Sequence, residues 1–227
     1  MINFAKAKFI KSAQTYAQKP EKNLKEIVFI GKSNVGKSSL INALVKNRGL
    51  AKTSSKPGYT KLLNYFEIDE KFYLVDAPGY GYTASGGKLL DSFSKMMETY
   101  FDNPSLAGVI FIVDSRHKLS KDDVEFYNFI VEKDIPFLLV ASKFDKLNQS
   151  EKAAIKKHIT QDIGIKDYVF ASTVNNLGLD KIRSMIVQLV EIHDIRDSIK
   201  EGVNTPTSEF VEINWKKWVN QFIDIYR

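Results

Sequence analysis

The sequence predicts an α/β fold in which a mostly parallel six-stranded sheet is flanked by helices. Short runs of β-branched and aromatic residues alternate with amphipathic stretches that are long enough to form helices. One pair of strand-like runs is separated only by the polar turn Asp69-Glu70-Lys71. Because a tight turn joins antiparallel strands and an intervening helix joins parallel ones, we expect one antiparallel strand in an otherwise parallel sheet.

The individual elements follow from local periodicity and from the residues that interrupt it. The six strands are predicted at residues 27–30, 62–68, 72–75, 109–113, 137–141 and 168–171. The helices are predicted at residues 37–45, 89–101, 122–133, 149–163 and 179–191.

The chain has 227 residues, of which 44% are hydrophobic, enough for one α/β domain and an appendage. We assign residues 1–194 to the domain, with a basic segment at residues 1–25, and residues 195–227 to a C-terminal extension. In the extension, a linker at residues 202–206 precedes a predicted amphipathic helix. Its apolar stripe consists of Val211, Trp215, Trp218, Phe222 and Ile225. The domain's own surface is the favoured cover for this stripe, ahead of a protein partner or a second copy, with a membrane least favoured.

Composition narrows the functional classes. The absence of cysteine excludes disulfides, thiolate metal sites and a cysteine nucleophile. No apolar run approaches the roughly 20 residues that span a bilayer, and the N-terminus does not resemble a secretory signal. We therefore expect a cytoplasmic protein with no membrane partner. A monomer is a separate expectation, which composition does not establish. No pair of histidines has metal-ligand spacing, and His158 and His193 are predicted on helix surfaces.

Positive charge is concentrated in the first part of the chain. Residues 1–61 contain 13 lysines and arginines against only Glu21 and Glu26, whereas the remainder has a net charge of −5. This asymmetry favours a polyanionic partner, nucleic acid before membrane, near the N-terminal part. A solvated lysine-rich surface is the alternative.

The residues that carry the chemistry begin directly after the first strand, at Gly31-Lys32-Ser33-Asn34-Val35-Gly36-Lys37-Ser38. This stretch matches the phosphate-binding pattern G-x-x-x-x-G-K-[ST] between a strand and a helix. The glycines allow a sharp turn whose backbone N–H groups face phosphates, together with the helix N-terminus. Lys37 is predicted to contact the β- and γ-phosphates of a nucleotide, and Ser38 to ligate Mg²⁺.

A second motif, Asp76-Ala77-Pro78-Gly79, ends the third predicted strand. It has the D-x-x-G arrangement, in which the carboxylate faces the Mg²⁺ shell and the glycine N–H meets the γ-phosphate. Taken alone, the same four residues are an ordinary turn. Their place at a strand end, after the phosphate loop, favours the functional interpretation.

Between these motifs lies Lys56-Pro57-Gly58-Tyr59-Thr60, the candidate first switch segment. Thr60 is predicted to join Ser38 and Asp76 around Mg²⁺ in the triphosphate state. The candidate nucleotide contacts in this segment are Gly58, Tyr59, Thr60, Lys61 and Leu62.

Base selection is predicted at Ser142-Lys143-Phe144-Asp145, close to the guanine-reading pattern [NT]-K-x-D. Asp145 would accept hydrogen bonds from guanine N1 and N2, the Lys143 stem would pack on the base, and Ser142 would brace the loop. The segment Phe170-Ala171-Ser172, at the end of the sixth strand, would add backbone N–H groups near the guanine oxygen.

These motifs in this order make the chain resemble a translation-factor-class P-loop GTPase with a Ras-like domain. The resemblance is specifically to the EngB (YsxC) family and covers about residues 4–192. It is carried by residues 31–39, Phe9-Ile10-Lys11-Ser12-Ala13, Ser54-Ser55-Lys56-Pro57-Gly58, Asp76-Ala77-Pro78-Gly79-Tyr80-Gly81-Tyr82 and Asp114-Ser115-Arg116-His117. The departures are Ser142, Ala171 in a place usually held by serine, and the chain after residue 194.

The resemblance implies a switch that hydrolyses GTP to GDP and phosphate during assembly of the large ribosomal subunit, with ribosomal RNA and proteins as partners. It also implies a link to the cell cycle and septation. The implied catalytic residues are Lys37, Thr60, Gly79 and Asn34. Several GTPases with asparagine at the position of Asn34 bind K⁺ beside the phosphates, whereas a purely local hydrogen-bonding role is the alternative. Tyr80 stands where Ras-like switches carry a water-orienting glutamine, so hydrolysis without a partner is expected to be slow.

Other functions remain open from the sequence alone. A GTP-gated RNA- or ribosome-binding module with negligible turnover would use the same motifs. An ATP-dependent kinase or ATPase is disfavoured by Lys143 and Asp145. Arg116 and His117 could be mistaken for an acid/base pair, but we favour a structural or partner-binding role for them.

Overall fold

The computed structural model describes residues 2–52, 62–80, 97–166 and 168–200. Its strands form one sheet in the order β1-β3-β4-β2-β5-β6-β7. The strands are β1 (Lys8–Ala13), β2 (Lys25–Gly31), β3 (Leu63–Ile68), β4 (Phe72–Asp76), β5 (Leu106–Asp114), β6 (Phe137–Ser142) and β7 (Tyr168–Phe170). The predicted α/β fold with a mostly parallel sheet is confirmed.

Within the described residues the sheet has seven strands rather than the six expected. The additional strand, β1, pairs antiparallel with β3 at the edge of the sheet. The first five residues of β1 are exposed in the structure. Its sequence, Lys-Phe-Ile-Lys-Ser-Ala, does not alternate apolar and polar residues, so periodicity does not predict a strand there. The expected hairpin forms between β3 and β4, and β3 is the strand that runs against its neighbours.

The described helices are α1 (Lys37–Leu44), α2 (Lys121–Glu132), α3 (Gln149–Lys157) and α4 (Leu179–Lys200). Capping boxes begin α2, through Ser120 and Asp123, and α3, through Asn148 and Glu151. Residues 97–101 are also helical, and the rest of the helix predicted there lies outside the described residues. Helix α4 runs past its predicted end at residue 191, because no glycine or proline interrupts it before residue 202.

Two hydrophobic layers cover the faces of the sheet. Ile27 and Phe29 of β2 pack in the layer that includes α1 and α4, and Val28 and Ile30 pack in the layer that includes α2 and α3. The central strand is therefore buried on both faces, as parallel strands between helices require. This packing fixes the carboxyl end of β2, where the phosphate loop begins.

The prediction that His158 and His193 lie on helix surfaces was wrong. His158 is 8% exposed, and its Nε2 accepts a hydrogen bond from the Leu119 N–H at 3.2 Å. His158 begins a π-helical turn that extends α3 to Asp162, whereas His193 is partly buried beside Asp197 on α4. Over the described ranges, no helix combines the length and the apolar character needed to cross a membrane.

Candidate functional site

The five parallel strands all end at one edge of the sheet, and each ends on or next to a residue singled out in the sequence. Gly31 ends β2, Asp76 ends β4, Asp114 ends β5, Ser142 ends β6 and Phe170 ends β7. Ligands of open α/β sheets bind at this edge, outside the carboxyl ends of the strands. The structure thereby brings together motifs that are spread over more than half of the chain.

The phosphate loop is held tightly between β2 and α1. A Cβ atom on Gly31 would lie 2.3 Å from the carbonyl oxygen of Ile112, so β2 can approach β5 closely only with glycine there. Asn34 and Gly36 have φ angles of 64° and 109°, in the left-handed region. Those angles turn the chain sharply into α1.

Lys37 is folded back over this loop. Its Nζ donates to the carbonyl oxygens of Gly31 at 3.1 Å and Lys32 at 3.4 Å, and the residue is 8% exposed. Burial lowers the pKa of Lys37 below its ordinary value, although the negative charge of Asp76 opposes this shift. The ammonium group therefore lies inside the loop, where a nucleotide's phosphates could replace the two carbonyl oxygens as its partners.

Ser38 and Asp76 provide a donor set that suits Mg²⁺. The Ser38 hydroxyl donates to Asp76 Oδ2 at 2.7 Å, while the buried Asp76 Oδ1 has no hydrogen-bond partner among the described residues. Burial raises the pKa of Asp76, against the opposing effects of Lys37 and Ser38. A buried carboxylate oxygen without a partner is costly, and hydroxyl and carboxylate oxygens are ligands that Mg²⁺ prefers. The residues present therefore fit this ion.

The Asp76–Gly79 segment rests directly on the phosphate loop. The Ala77 N–H donates to the Phe29 carbonyl oxygen at 3.2 Å, and the Ser33 N–H donates to the Tyr80 carbonyl oxygen at 3.1 Å. A Cβ atom on Gly79 would lie 2.7 Å from the Ser33 nitrogen and 2.9 Å from Lys37 Nζ. Position 79 therefore requires glycine in this arrangement.

Tyr80 is anchored away from the loop by its side chain. Its hydroxyl donates to Asp123 Oδ1 at 2.7 Å, and its ring lies 5.6 Å from that of Phe126. The same Asp123 caps α2 through Ser120. Burial and the neighbouring Asp123 raise the pKa of Tyr80. No local sequence pattern predicts this contact, because its partners are 43 residues apart.

The base-site loop is connected to the phosphate loop by two side chains. Ser142 Oγ lies 2.8 Å from the Val35 carbonyl oxygen and 3.0 Å from that of Val113. Lys143 Nζ donates to the Asn34 carbonyl oxygen at 2.8 Å and to Asp114 Oδ2 at 2.9 Å. Serine therefore links these loops through its hydroxyl where the usual pattern has asparagine or threonine.

Asp114 was quoted in the sequence only for the family resemblance and was not predicted as a site residue. It accepts two side-chain hydrogen bonds from Arg116, at 2.9 and 2.7 Å, in addition to the one from Lys143. Although burial acts to raise its pKa, the hydrogen bonds from Arg116 and Lys143 lower the pKa of Asp114 to about 2. The sequence feature that could have indicated this role is an aspartate at the end of a predicted strand, next in the sheet to the strand that precedes the phosphate loop.

Asp145 and the end of β7 are also adjacent. The Phe144 N–H donates to the Ala171 carbonyl oxygen at 3.1 Å, and the Phe144 and Phe170 rings stack with centroids 4.2 Å apart. A hydrogen bond from Ser172 lowers the pKa of Asp145. These contacts hold an ionised acceptor at the edge of the site.

The structure thus brings together the predicted phosphate, metal and base residues that it describes. Leu62 lies just before β3 and lines a groove that reaches Asp76. Gly58, Tyr59, Thr60 and Lys61 lie outside the described residues, as do Gly81 and Tyr82.

A phosphate loop on such a sheet, with a D-x-x-G segment against it and a Lys-x-Asp loop beside it, defines a P-loop GTPase, which binds GTP and GDP, typically with Mg²⁺, and hydrolyses GTP. The family model described as 50S ribosome-binding GTPase matches residues 26–143. The chain belongs to the EngB family of GTP-binding proteins. It is 39% identical over 189 residues to the probable GTP-binding protein EngB of Halothermothrix orenii. The aligned residues cover 81% of this chain and 95% of that protein.

Solved structures share the fold. A crystal structure of a probable GTP-binding protein engB is 22% identical, with a TM-score of 0.59, over 73% of this chain and 98% of that one. The structure of Era with MgGDPNP and nucleotides 1506–1542 of 16S ribosomal RNA is also 22% identical with a TM-score of 0.59. That match covers 74% of this chain and 57% of the Era chain.

Proposed function

We propose that this GTPase is a molecular switch that acts during assembly of the large ribosomal subunit. The observation that carries this proposal is the convergence of phosphate, metal and base residues at one sheet edge, with the Asp76–Gly79 segment resting on the phosphate loop. A contact between this segment and the loop is where the presence of a γ-phosphate could alter protein conformation. The ribosomal part is supported by the matching family model, described as 50S ribosome-binding, and by the ribosomal RNA bound to Era.

We assign the site residues as follows within this proposal. Backbone N–H groups of the phosphate loop surround the phosphates, Lys37 contacts the β- and γ-phosphates, and the Gly79 N–H meets the γ-phosphate. Ser38 and Asp76, with Thr60, hold Mg²⁺, which when bound offsets phosphate charge. Asp145 accepts from the guanine edge, the Lys143 stem lies on the base, and Ala171 and Ser172 supply N–H groups near the guanine oxygen.

Hydrolysis in this site depends on positioning more than on covalent chemistry. Tyr80 offers no amide, and its hydroxyl is already bonded to Asp123. We therefore infer slow turnover by the protein alone and acceleration by a partner that orders the attacking water. This observation also favours the second candidate, a GTP-gated binding module in which turnover is negligible.

Single-turnover hydrolysis separates the two candidates. Purified large subunits should accelerate GTP cleavage by the switch enzyme, whereas small subunits at the same concentration should not. No acceleration by either subunit, together with nucleotide-dependent binding to large subunits, would favour the gated module.

Association with the large subunit is the direct test of the proposal. We expect more protein to co-sediment with large subunits in the presence of a non-hydrolysable GTP analogue than with GDP, with small subunits as the control. The basic residues near the first switch, Lys52, Lys56 and Lys61, would contribute, so binding should weaken as salt rises. Equal binding in both nucleotide states, or equal binding to both subunits, would remove the large subunit as the partner. A cytoplasmic location follows if the proposal holds.

A second cation beside Asn34 is a finer part of the proposal. Replacing Na⁺ by K⁺ at constant ionic strength should raise the hydrolysis rate if Asn34 ligates K⁺. Equal rates in the two salts would assign Asn34 to loop structure alone.

A further inference from the structure

A groove runs along the edge of the sheet and reaches the candidate Mg²⁺ site at its inner end, where Asp76 lines it. It lies between β1, β3 and the loop that follows α1, and its volume is about 550 Å³. We call it the edge groove, and its lining includes Phe9, Ser12, Asn47, Leu50, Lys52 and Asn64. This volume is in the range of pockets that hold small organic ligands.

The floor of the edge groove is a polar row across three strands. Ser12 of β1 pairs in register with Asn64 of β3, which in turn pairs with Asp76 of β4. The Ser12 hydroxyl donates to Asn64 Oδ1 at 2.6 Å. Asn47, on the other side of the groove, supplies a second amide. Amide and hydroxyl groups of this kind can donate to and accept from the edge of a nucleobase.

An aromatic side chain, Phe9, also lines the groove, three residues before Ser12 on β1. Phe9 is 50% exposed although it lies in an edge strand, and its ring centroid is 5.7 Å from that of the buried Phe66. Edge strands of soluble proteins are commonly protected by charged residues, and Lys8 and Lys11 flank this site. An exposed aromatic ring beside lysines is a typical platform for stacking bases of single-stranded nucleic acid.

The charge around the groove fits the same ligand. Residues 46–52, which follow α1, contain Lys46, Arg48 and Lys52 and no aspartate or glutamate. Lys52 lines the groove, and Lys46 and Arg48 are exposed on the same loop. This surplus would attract the phosphates of an RNA strand.

We propose that the edge groove binds a nucleobase of single-stranded RNA, stacked on Phe9, with its edge toward Asn47 and Asn64 and its phosphate near Lys52. This inference rests on the proposed function, since it names the RNA-contacting part of the same protein. An extended peptide that pairs with the free edge of β1 is the competing occupant. RNA is favoured because the groove carries an aromatic platform and exposed positive charge at Lys46, Arg48 and Lys52, neither of which strand addition requires.

A short, fluorescently labelled oligouridylate tests the proposal by anisotropy with the full chain. Phe9→Ala should weaken oligouridylate binding about tenfold, the loss expected for one stacked base. Phe9→Trp should restore it, because a larger ring still stacks. Ile10→Ala is the matched control, since Ile10 is 39% exposed on the same strand but does not line the groove.

Inorganic polyphosphate separates stacking from charge, since it has phosphates but no bases. Phe9→Ala should leave polyphosphate binding and the salt dependence of oligouridylate binding unchanged. Lys52→Ala should weaken the binding of both ligands and reduce the salt dependence. Guanine-nucleotide affinity of the Phe9 variants should match wild type, because Phe9 is outside the nucleotide site.

Equal oligouridylate binding by Phe9→Ala and Ile10→Ala would overturn the proposal, as would an equal loss of polyphosphate binding by Phe9→Ala. Loss of large-subunit association by Phe9→Ala without any loss of RNA binding would assign the groove to a protein strand instead. The proposed function fails separately, if wild-type protein does not co-sediment with large subunits in either nucleotide state.

Discussion

The two halves of the nucleotide site differ in how their polar groups are satisfied. In the base half, which contains Asp114, Ser142, Lys143 and Asp145, these side chains are bonded to other protein groups. In the phosphate half, residues 31–38 and 76–79, Lys37 and Asp76 are buried charges, and Asp76 Oδ1 has no partner within the described residues. The polar side chains of the base half are therefore satisfied within the protein, whereas the phosphate half leaves a buried acceptor for a ligand.

The largest expected effect is on GTP affinity, when the Asp145 carboxylate of the base half is replaced. Asp145→Asn should reduce GTP affinity by about 2 to 5 kcal/mol, because a charged hydrogen-bond acceptor for the guanine edge is lost. Xanthine nucleotides should become the preferred ligand, since their altered base edge can accept from the new amide. Calorimetric titration with GTP and with xanthosine triphosphate measures both effects.

Asp162→Asn is the control for this substitution, since Asp162 also accepts a hydrogen bond, from His158, but lies outside the site. It should leave the preference for guanine intact. Unchanged base preference in Asp145→Asn would show that the base is read elsewhere.

The next effects concern the free energy of unfolding, which should change less for a substitution in the phosphate half than for one in the base half. Asp76→Asn removes an incompletely partnered buried charge, so the free energy of unfolding without nucleotide should change by less than about 1 kcal/mol. Asp114→Asn removes the negative charge and one of the two oxygens that accept three side-chain hydrogen bonds, and it should lower the free energy of unfolding by about 1 to 2 kcal/mol. Chemical denaturation of nucleotide-free protein gives both values.

For nucleotide binding we expect the opposite order, with the larger effect from Asp76→Asn and the smaller from Asp114→Asn. Mg²⁺ should strengthen GTP binding much less in Asp76→Asn than in wild type, while Asp114→Asn should keep its response to Mg²⁺. The comparison between the two halves is wrong if Asp76→Asn is the more destabilising substitution in the absence of nucleotide.

The smallest effect concerns acid stability. The pKa of Asp114 is lowered from 3.8 to about 2 in the folded protein, so its contribution to stability is present above 3.8 and is lost as the pH falls from 3.8 toward 2. Between pH 5 and pH 3, roughly the start of this range, stability should fall more steeply in wild type than in Asp114→Asn. Denaturant titrations at several pH values measure the slopes.

The exposed Asp102, which pairs with Lys133 on the surface, supplies the control variant Asp102→Asn. Its slope should follow wild type. Parallel slopes for wild type and Asp114→Asn would mean that Asp114 gains no stability from its partners.

The sequence was sufficient for the features that depend on local pattern. The phosphate loop, with its flanking strand and helix, is encoded within a few residues, and buried strands such as β5 are continuous apolar runs. Strand β1 could not be recognised, because its exposed residues become a strand only through pairing with β3. Likewise, the contacts of Lys143 with Asp114 and of Tyr80 with Asp123 join residues 29 and 43 positions apart. Such partners are chosen by the packing of the sheet and helices, which no local pattern specifies.

The anchor between Tyr80 and Asp123 has a consequence for how the protein responds to its surroundings. Because burial raises the pKa of Tyr80 above its ordinary value of 10.0, the phenol keeps its proton throughout the range of acidity found in cells. A histidine in the same place would gain and lose charge within that range. The D-x-x-G segment is therefore fastened to α2 by a donor that does not change its ionisation across that range. Within the proposed function, the bound nucleotide and not the ionisation of Tyr80 would govern release of the segment.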